Sequence, residues 1–152
     1  MRIREQGFSY LVVMFLVAVI AVASVRAMEV TLTSERRSKE AELIWVGNAY
    51  RNAIRTYYDG SSGSNRTYPA TLEDLLYDTR LTRPTRPLRK LYRDPISGAK
   101  EWGVVKNQAG AVIGVYSLAK GKPIKRAGFS PELASFTNAN SYSDWKFVYQ
   151  PN

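Results

Sequence analysis

An apolar run near the N-terminus constrains this chain more than any other feature. Residues 8–25 read FSYLVVMFLVAVIAVASV and contain no charged residue, no glycine and no proline. As an α-helix this run extends about 27 Å, close to the ~30 Å hydrocarbon core of a bilayer. A helix also satisfies its own backbone hydrogen bonds, which lipid cannot do. The run therefore predicts a membrane-spanning helix.

The residues that flank the run are compatible with three kinds of N-terminal segment. A secretory signal would be removed after Ala27, and a plain membrane anchor would not be cleaved. A third kind of signal is cut before the run, after Gly7, so that the apolar segment stays on the mature protein. The abrupt boundary between the polar leader 1–7 and Phe8 favours the third kind, because the helical pattern also continues beyond Ala27.

The helical pattern extends well past the apolar run. A charged stretch of mixed sign, 35–42, suits an exposed helix. Apolar residues then recur in steps of three and four, which places them on one helix face. These residues are Leu43, Val46, Tyr50, Ala53 or Ile54, and Tyr57. We predict one helix over 8–58, with a transmembrane half, 8–26, and an amphipathic half, 27–58, that packs on the C-terminal part of the chain.

Composition excludes several chemistries. The chain has no cysteine and no histidine, which rules out disulfides, thiol nucleophiles, Cys/His zinc sites and Ser-His-Asp triads. The remaining residues show no nucleophile–base spacing, phosphate loop or metal cluster, so the sequence predicts a protein that is not an enzyme and needs no cofactor. A formal charge of +9, from 22 Lys and Arg against 13 Asp and Glu, favours contact with anionic surfaces.

Residues 59–152 are predicted to form one small globular head. A short helix should begin near Tyr68-Pro69, with Thr71 as its cap and Leu72, Leu75 and Leu76 on its inner face. Alternating patterns predict a hairpin of 101–106 and 111–118 and a third strand over 144–149. A helical turn should begin at Ser130-Pro131. The fold class is therefore α+β, with the long helix packed on a small antiparallel sheet.

A basic loop is predicted over 79–93, where Pro84 and Pro87 exclude a regular helix or a central strand. It is either a surface that contacts anions or a solubilising loop attached to the core through Leu88, Leu91 and Tyr92. The candidate anion contacts are Arg80, Arg83, Arg86, Arg89, Lys90 and Arg93. Further basic residues lie in 119–126 and favour the same alternatives.

Together these features resemble type IV pilins and the pseudopilins of type II secretion. The resemblance rests on Gly7-Phe8 before an apolar run, on the long helix and on a small C-terminal sheet. Shorter motifs are similar to the major-pseudopilin branch and occur in the same order. They are Tyr68-Pro69, Asp94-Pro95 with Gly98 and Trp102, and Ser141-Tyr142-Ser143-Asp144-Trp145.

The resemblance implies cleavage after Gly7 by a prepilin peptidase and methylation of the new amine of Phe8. The subunit would sit in the bacterial inner membrane as a single-pass protein, with its head in the periplasm, and would contact membrane lipid, an assembly platform and other pilin subunits. Its apolar helix would then enter a filament core. The residues implied for that core are Phe8, Tyr10, Leu11, Val12, Phe15 and Leu16.

Val12 departs from the family pattern. Most members have Glu at the fifth mature position, where it pairs with the N-terminal amine of a subunit, and an unpaired amine in an apolar core is costly. A minor or initiating subunit is therefore expected. Some major pseudopilins also hold calcium before the last strand, but 137–144 offers a single carboxylate, Asp144, which favours a simple turn.

The sequence thus supports two functions of different class. The first is a structural filament subunit. The alternative is a minor pilin that binds DNA for uptake through the basic residues of 79–93 and 119–126, by the salt-dependent release of counterions.

Overall fold

A computed structural model describes residues 6–61, 66–80 and 83–151, with the backbone alone for 6–8 and Ala27. The chain divides into two compact units, Met1–Arg36 and Arg37–Asn152, which are described separately. Residues 1–5 of the predicted leader lie outside the described residues.

The predicted long helix is confirmed as α1, Gln6–Asp59. The segment contains no proline, so the i to i−4 hydrogen-bond ladder is not interrupted by a missing donor. The helix ends where the Gly60 amide donates to the Thr56 carbonyl at 2.9 Å.

The predicted stripe of α1 forms one wall of the core of the C-terminal unit. Its members are all buried: Leu43, Val46, Tyr50, Ala53, Ile54 and Tyr57. Residues from the rest of the unit pack against this stripe, among them Leu75, Trp102, Val115, Trp145 and Phe147. Each fully buried large apolar side chain favours the folded state by about 1.5–3 kcal/mol, so this helix face supplies much of the driving force for folding.

The sheet has three antiparallel strands in the order β1, β2, β3. Strand β1 is Gly103–Lys106, β2 is Val112–Tyr116 and β3 is Phe147–Val148. The predicted hairpin is confirmed, with Gly103 opposite Tyr116 and a register shift between Val105 and Lys106.

The side chain of Asn107 closes the hairpin turn. Its Oδ1 accepts hydrogen bonds from the amides of Ala109 and Ala111 at 3.0 and 2.9 Å. Gly110 has φ +80°, a conformation that side chains with a Cβ disfavour. The turn is therefore specified locally by these residue types.

The predicted third strand is too long. Its predicted first residue, Asp144, belongs to the 3-10 helix Tyr142–Asp144, and only Phe147–Val148 form β3. The reason is a capping box: the Ser141 side chain accepts from the Ser143 amide, and the Asp144 carboxylate accepts from the Ser141 amide at 2.9 Å.

The predicted cap at Thr71 is wrong. A single 3-10 turn, Glu73–Leu75, forms there, and the residue before it, Leu72, makes no side-chain cap. The Asp74 carboxylate instead accepts hydrogen bonds from the preceding amides of Ala70 and Thr71, both at 2.9 Å.

The predicted turn at Ser130-Pro131 is confirmed as the 3-10 helix Pro131–Phe136, although the Ser130 side chain makes no capping bond.

Gly47 is also buried, on the same face of α1, and the Phe147 ring of β3 packs directly on it. A Cβ on Gly47 would lie 2.3 Å from Cε2 of the Phe147 ring, which is itself fully buried. Contacts this short force the ring or the backbone to move. The close approach of β3 to α1 therefore requires glycine at this position.

Replacing Gly47 with alanine should destabilise the protein by about 1–3 kcal/mol, because the inserted methyl overpacks the core at Phe147. The measurement is the unfolding free energy of the full chain in nonionic detergent, followed by circular dichroism. Asn52→Ala, at an exposed position of the same helix, is the matched control and should be neutral or slightly stabilising. Equal stability of the two variants would contradict the packing described above.

Candidate functional site

The apolar run of α1 is exposed along its described length. The side chains predicted for a filament core have exposed fractions from 42 % for Val12 to 71 % for Phe15, with Tyr10, Leu11 and Leu16 between them. Its mean hydropathy reaches 2.5 over an 18-residue window, and none of that window is buried in the structure. Exposure of a contiguous apolar surface on this scale marks a membrane or protein contact site. The helix is long and apolar enough to cross a membrane.

The hydroxyl of Ser24 suits an apolar surrounding because it is satisfied inside the helix. Its Oγ donates to the Ile20 carbonyl at 2.8 Å.

The predicted processing site consists of Gly7 and Phe8. The backbone of both residues belongs to α1, whereas the side chain of Phe8 lies outside the described part of the chain. Cleavage and methylation there remain predictions.

Arg80, predicted as an anion contact, instead forms hydrogen bonds with other residues of the protein. Its Nε and Nη2 donate to the two carboxylate oxygens of Asp78 at 2.9 and 2.7 Å. Nη2 also donates to the Tyr57 carbonyl at 2.6 Å, and Nη1 donates to Ser61 Oγ and Thr67 Oγ1 at 2.8 Å each. The guanidinium carbon lies 3.4 Å from the centre of the Tyr57 ring. Arg80 therefore caps the C-terminus of α1, where a positive charge is favourable.

The other candidate anion contacts are exposed. Arg83, Arg86, Arg89, Lys90 and Arg93 all lie on the surface of the C-terminal unit. Lys90 is 5.2 Å from the centre of the Tyr92 ring, and Arg93 makes a long hydrogen bond of 3.4 Å to the Gly98 carbonyl. The predicted attachment of this loop to the core is confirmed at Leu88, which is buried, and at Tyr92, which is partly buried against the core. It is wrong at Leu91, whose side chain is exposed.

Asp94 organises the turn that follows the basic loop, and it is fully buried. Its carboxylate accepts hydrogen bonds from the Ile96 amide at 2.9 Å, from Ser97 Oγ at 2.8 Å and from Ser117 Oγ at 2.7 Å. The Gly98 amide donates to the Asp94 carbonyl at 2.7 Å, which closes the turn. The turn at 94–98 is thus connected to the segment that follows β2.

Glu40 is a second buried carboxylate, with 2 % of its surface exposed. Its Oε1 accepts from the Ile124 amide at 2.6 Å and from the Tyr142 hydroxyl at 2.8 Å, and its Oε2 accepts from the Lys125 amide at 3.0 Å. It joins α1 to the basic segment 119–126 and to the capped turn before β3. Sequence reasoning missed Glu40, although its spacing of three from Leu43 places it on the buried face.

Asp144, the one carboxylate considered for a metal, is occupied as a helix cap. It accepts from the amides of Asn140 and Ser141 at 3.1 and 2.9 Å. Within 6–61, 66–80 and 83–151, no group of three or more His, Cys, Asp or Glu residues is arranged to hold a metal ion.

Comparison with known proteins adds no relative. No family model, no curated protein and no solved structure matches this chain. Its function is therefore inferred from its own residues.

The ion pair between Asp78 and Arg80 makes the stability of the folded protein depend on pH. The side-chain hydrogen bonds from Arg80 hold the pKa of Asp78 below its usual range. Ionised Asp78 thus stabilises the folded state above the unfolded pKa of about 3.9, and this contribution is lost as the pH falls through the lower, folded pKa.

We expect Asp78→Asn to lower the unfolding free energy at neutral pH by about 1.5–3 kcal/mol, since hydrogen bonds to a charged group are weakened. The loss of stability on acidification from about pH 5 to pH 2 should be smaller in this variant than in the wild type. Unfolding of the full chain in detergent across this range measures both effects. Glu101→Gln, an exposed acid, should keep the wild-type acid dependence; an unchanged profile for Asp78→Asn would contradict the assignment.

Proposed function

We propose that this chain is a structural subunit of a type IV pilin-like filament or a type II secretion pseudopilus, assembled through its apolar N-terminal helix. The observation that carries the proposal is the contrast along α1. Residues 9–25 expose a continuous apolar surface, whereas the stripe from Leu43 to Tyr57 is buried in a small sheet-containing unit. One helix thus serves both as the core of a folded head and as an apolar segment available for other contacts.

Residues 9–25 are suited to two apolar surroundings in turn. They are apolar on all sides, which fits both a bilayer and the interior of a helix bundle. Association of helices in or from lipid depends on packing rather than on water, so the same surface can exchange lipid for neighbouring helices. In this proposal the subunit spans the bacterial inner membrane with its head in the periplasm, and an assembly platform transfers it into the filament.

Val12 supports a minor or initiating role. Cleavage after Gly7 would create an amine at Phe8, and residues 8–27 contain no carboxylate to pair with it. Placing an unpaired charge in an apolar core costs roughly several kcal/mol of free energy. A subunit of this kind would therefore occupy a filament end or alternate with subunits that supply the carboxylate.

The proposal predicts a mature protein that begins at N-methylated Phe8 when the full chain is produced in a bacterium with a prepilin peptidase. Intact-mass measurement and N-terminal sequencing identify the first residue. Gly7→Leu should abolish processing, because it changes the residue before the cut. Ala27→Leu, a matched change at the site of the alternative secretory cleavage, should leave processing intact.

A mature protein that begins at Met28 would contradict the proposal, and so would one that begins at Met1. Sheared filaments from the same cells provide the second readout. The chain should be present in them as a small fraction of total subunit, and a dominant fraction would contradict the minor role.

The second candidate function is DNA binding by a minor pilin. It is supported by the exposure of Arg83, Arg86, Arg89, Lys90 and Arg93 within one loop. Cations that are exposed and lightly bonded can approach phosphates without first breaking internal contacts, unlike Arg80. Such binding would be sequence-independent and driven by counterion release.

For this candidate we expect retention of double-stranded DNA by the full chain in detergent at about 50 mM salt, with strong weakening at about 200 mM. Arg83→Gln with Arg89→Gln should reduce the slope of log affinity against log salt by about two. Lys100→Gln with Lys106→Gln, an equal change of charge elsewhere on the surface, should have a smaller effect. Absence of retention at low salt would exclude DNA binding.

A further inference from the structure

A polar cleft lies between α1, the 3-10 helix Pro131–Phe136 and the residues around β3. Its volume is about 750 Å³, within the range of about 300–1,000 Å³ found for small-ligand sites. Arg51 and Arg55 project from one side of α1, one turn apart. Lys146 and Tyr149 flank β3, and Glu132 comes from the 3-10 helix. All of these residues belong to the C-terminal unit.

The cleft carries more positive than negative charge. Three cations line it, Arg51, Arg55 and Lys146, together with one carboxylate, Glu132. Arg51 is largely buried, with 15 % of its side chain exposed, and is paired with Glu132. Arg55 and Lys146 are the two cations of the cleft that are not paired with Glu132.

The side chains of Arg55 and Lys146 make only weak contacts with other residues of the protein. Arg55 is 65 % exposed and contacts Asp59 at 3.5 Å, a distance at which exposed pairs contribute little. Lys146 is exposed and forms no ion pair with any residue in the described ranges. Both can therefore turn toward a ligand without losing a strong internal contact.

Hydroxyl groups add neutral donors to the same cleft. Ser135 and Tyr149 both line it. The Tyr149 hydroxyl lies 3.4 Å from Asp59, longer than a normal bond between two oxygens. Burial is the main cause that raises the pKa of the Tyr149 hydroxyl above its usual value. A tyrosine hydroxyl is protonated at neutral pH even without such a shift, so it is available as a donor.

We propose that this cleft binds a small anion bearing two or more carboxylate or phosphate groups. Arg55 and Lys146 contact the anionic groups directly, and the hydroxyls of Ser135 and Tyr149 donate further hydrogen bonds. Guanidinium groups match the geometry of both carboxylate and phosphate, so the two sources share one recognition chemistry. Arg51 pairs with Glu132, and this pairing reduces the repulsion that the carboxylate exerts on a bound anion.

The test is titration calorimetry of the full chain in nonionic detergent at about 50 mM salt, with citrate as the carboxylate probe and pyrophosphate as the phosphate probe. Arg55→Gln with Lys146→Gln should weaken binding by about tenfold or more, since charge-assisted hydrogen bonds are lost. Glu132→Gln should tighten binding, because it removes the negative charge of the cleft. The preferred probe then identifies the anionic group.

The matched control is Lys100→Gln with Lys106→Gln, which removes the same charge from exposed positions outside the cleft. Its affinity should stay within about twofold of the wild type, since distant exposed charges are screened. The proposal is overturned if neither probe binds, if this control weakens binding as much as the cleft variant, or if Glu132→Gln fails to tighten it. Thermal unfolding of each variant verifies that the fold is intact.

Discussion

The packing of β3 across α1 is the contact on which the C-terminal unit depends. Phe147 lies against the backbone of Gly47, and its ring packs on Phe136 with centroids 4.9 Å apart. Phe136 is stacked in turn on Trp145 at 5.5 Å. A three-stranded sheet of this size has little apolar area of its own, and it becomes stable by covering a helix face. The position of Gly47 on that face therefore decides how closely the last strand and its aromatic neighbours can approach.

Buried carboxylates provide the long-range connections in a chain that has no cysteine. Glu40 joins α1 to residues more than 80 positions later, Asp78 orients Arg80 at the end of α1, and Asp94 joins its own turn to Ser117. Each accepts several hydrogen bonds, which offset the cost of burying its charge. These groups set the relative positions of irregular segments that have few backbone hydrogen bonds to the sheet.

Periodic patterns predicted the regular elements well. The 3.6-residue spacing located α1 and its buried stripe, because this pattern arises from a single helix face turned toward the core. The hairpin pattern located β1 and β2, although β2 is buried on both faces. The third strand was overestimated, since Ser141 and Asp144 form a local capping box that competes with an extended backbone. The individual roles of arginines were not predictable: Arg80 differs from Arg83 only in the partners that the fold brings to it. Of the site features, the exposed apolar helix followed from sequence, whereas the polar cleft required tertiary structure to bring residues 51 and 146 together.

The burial of acids makes the surface of the C-terminal unit more basic than the composition suggests. Glu40, Asp78 and Asp94 are the charged residues buried within the described ranges, and each is an acid. Glu40 and Asp94 are satisfied by amides and hydroxyls rather than by cations, so the lysines and arginines that would otherwise pair with them remain at the surface. The cations that give the chain its formal charge of +9 thus lie mainly at the surface. Such a surface attracts anions over about a Debye length, whatever their structure. A specific binding site differs because several cations and hydroxyl donors face the same cleft.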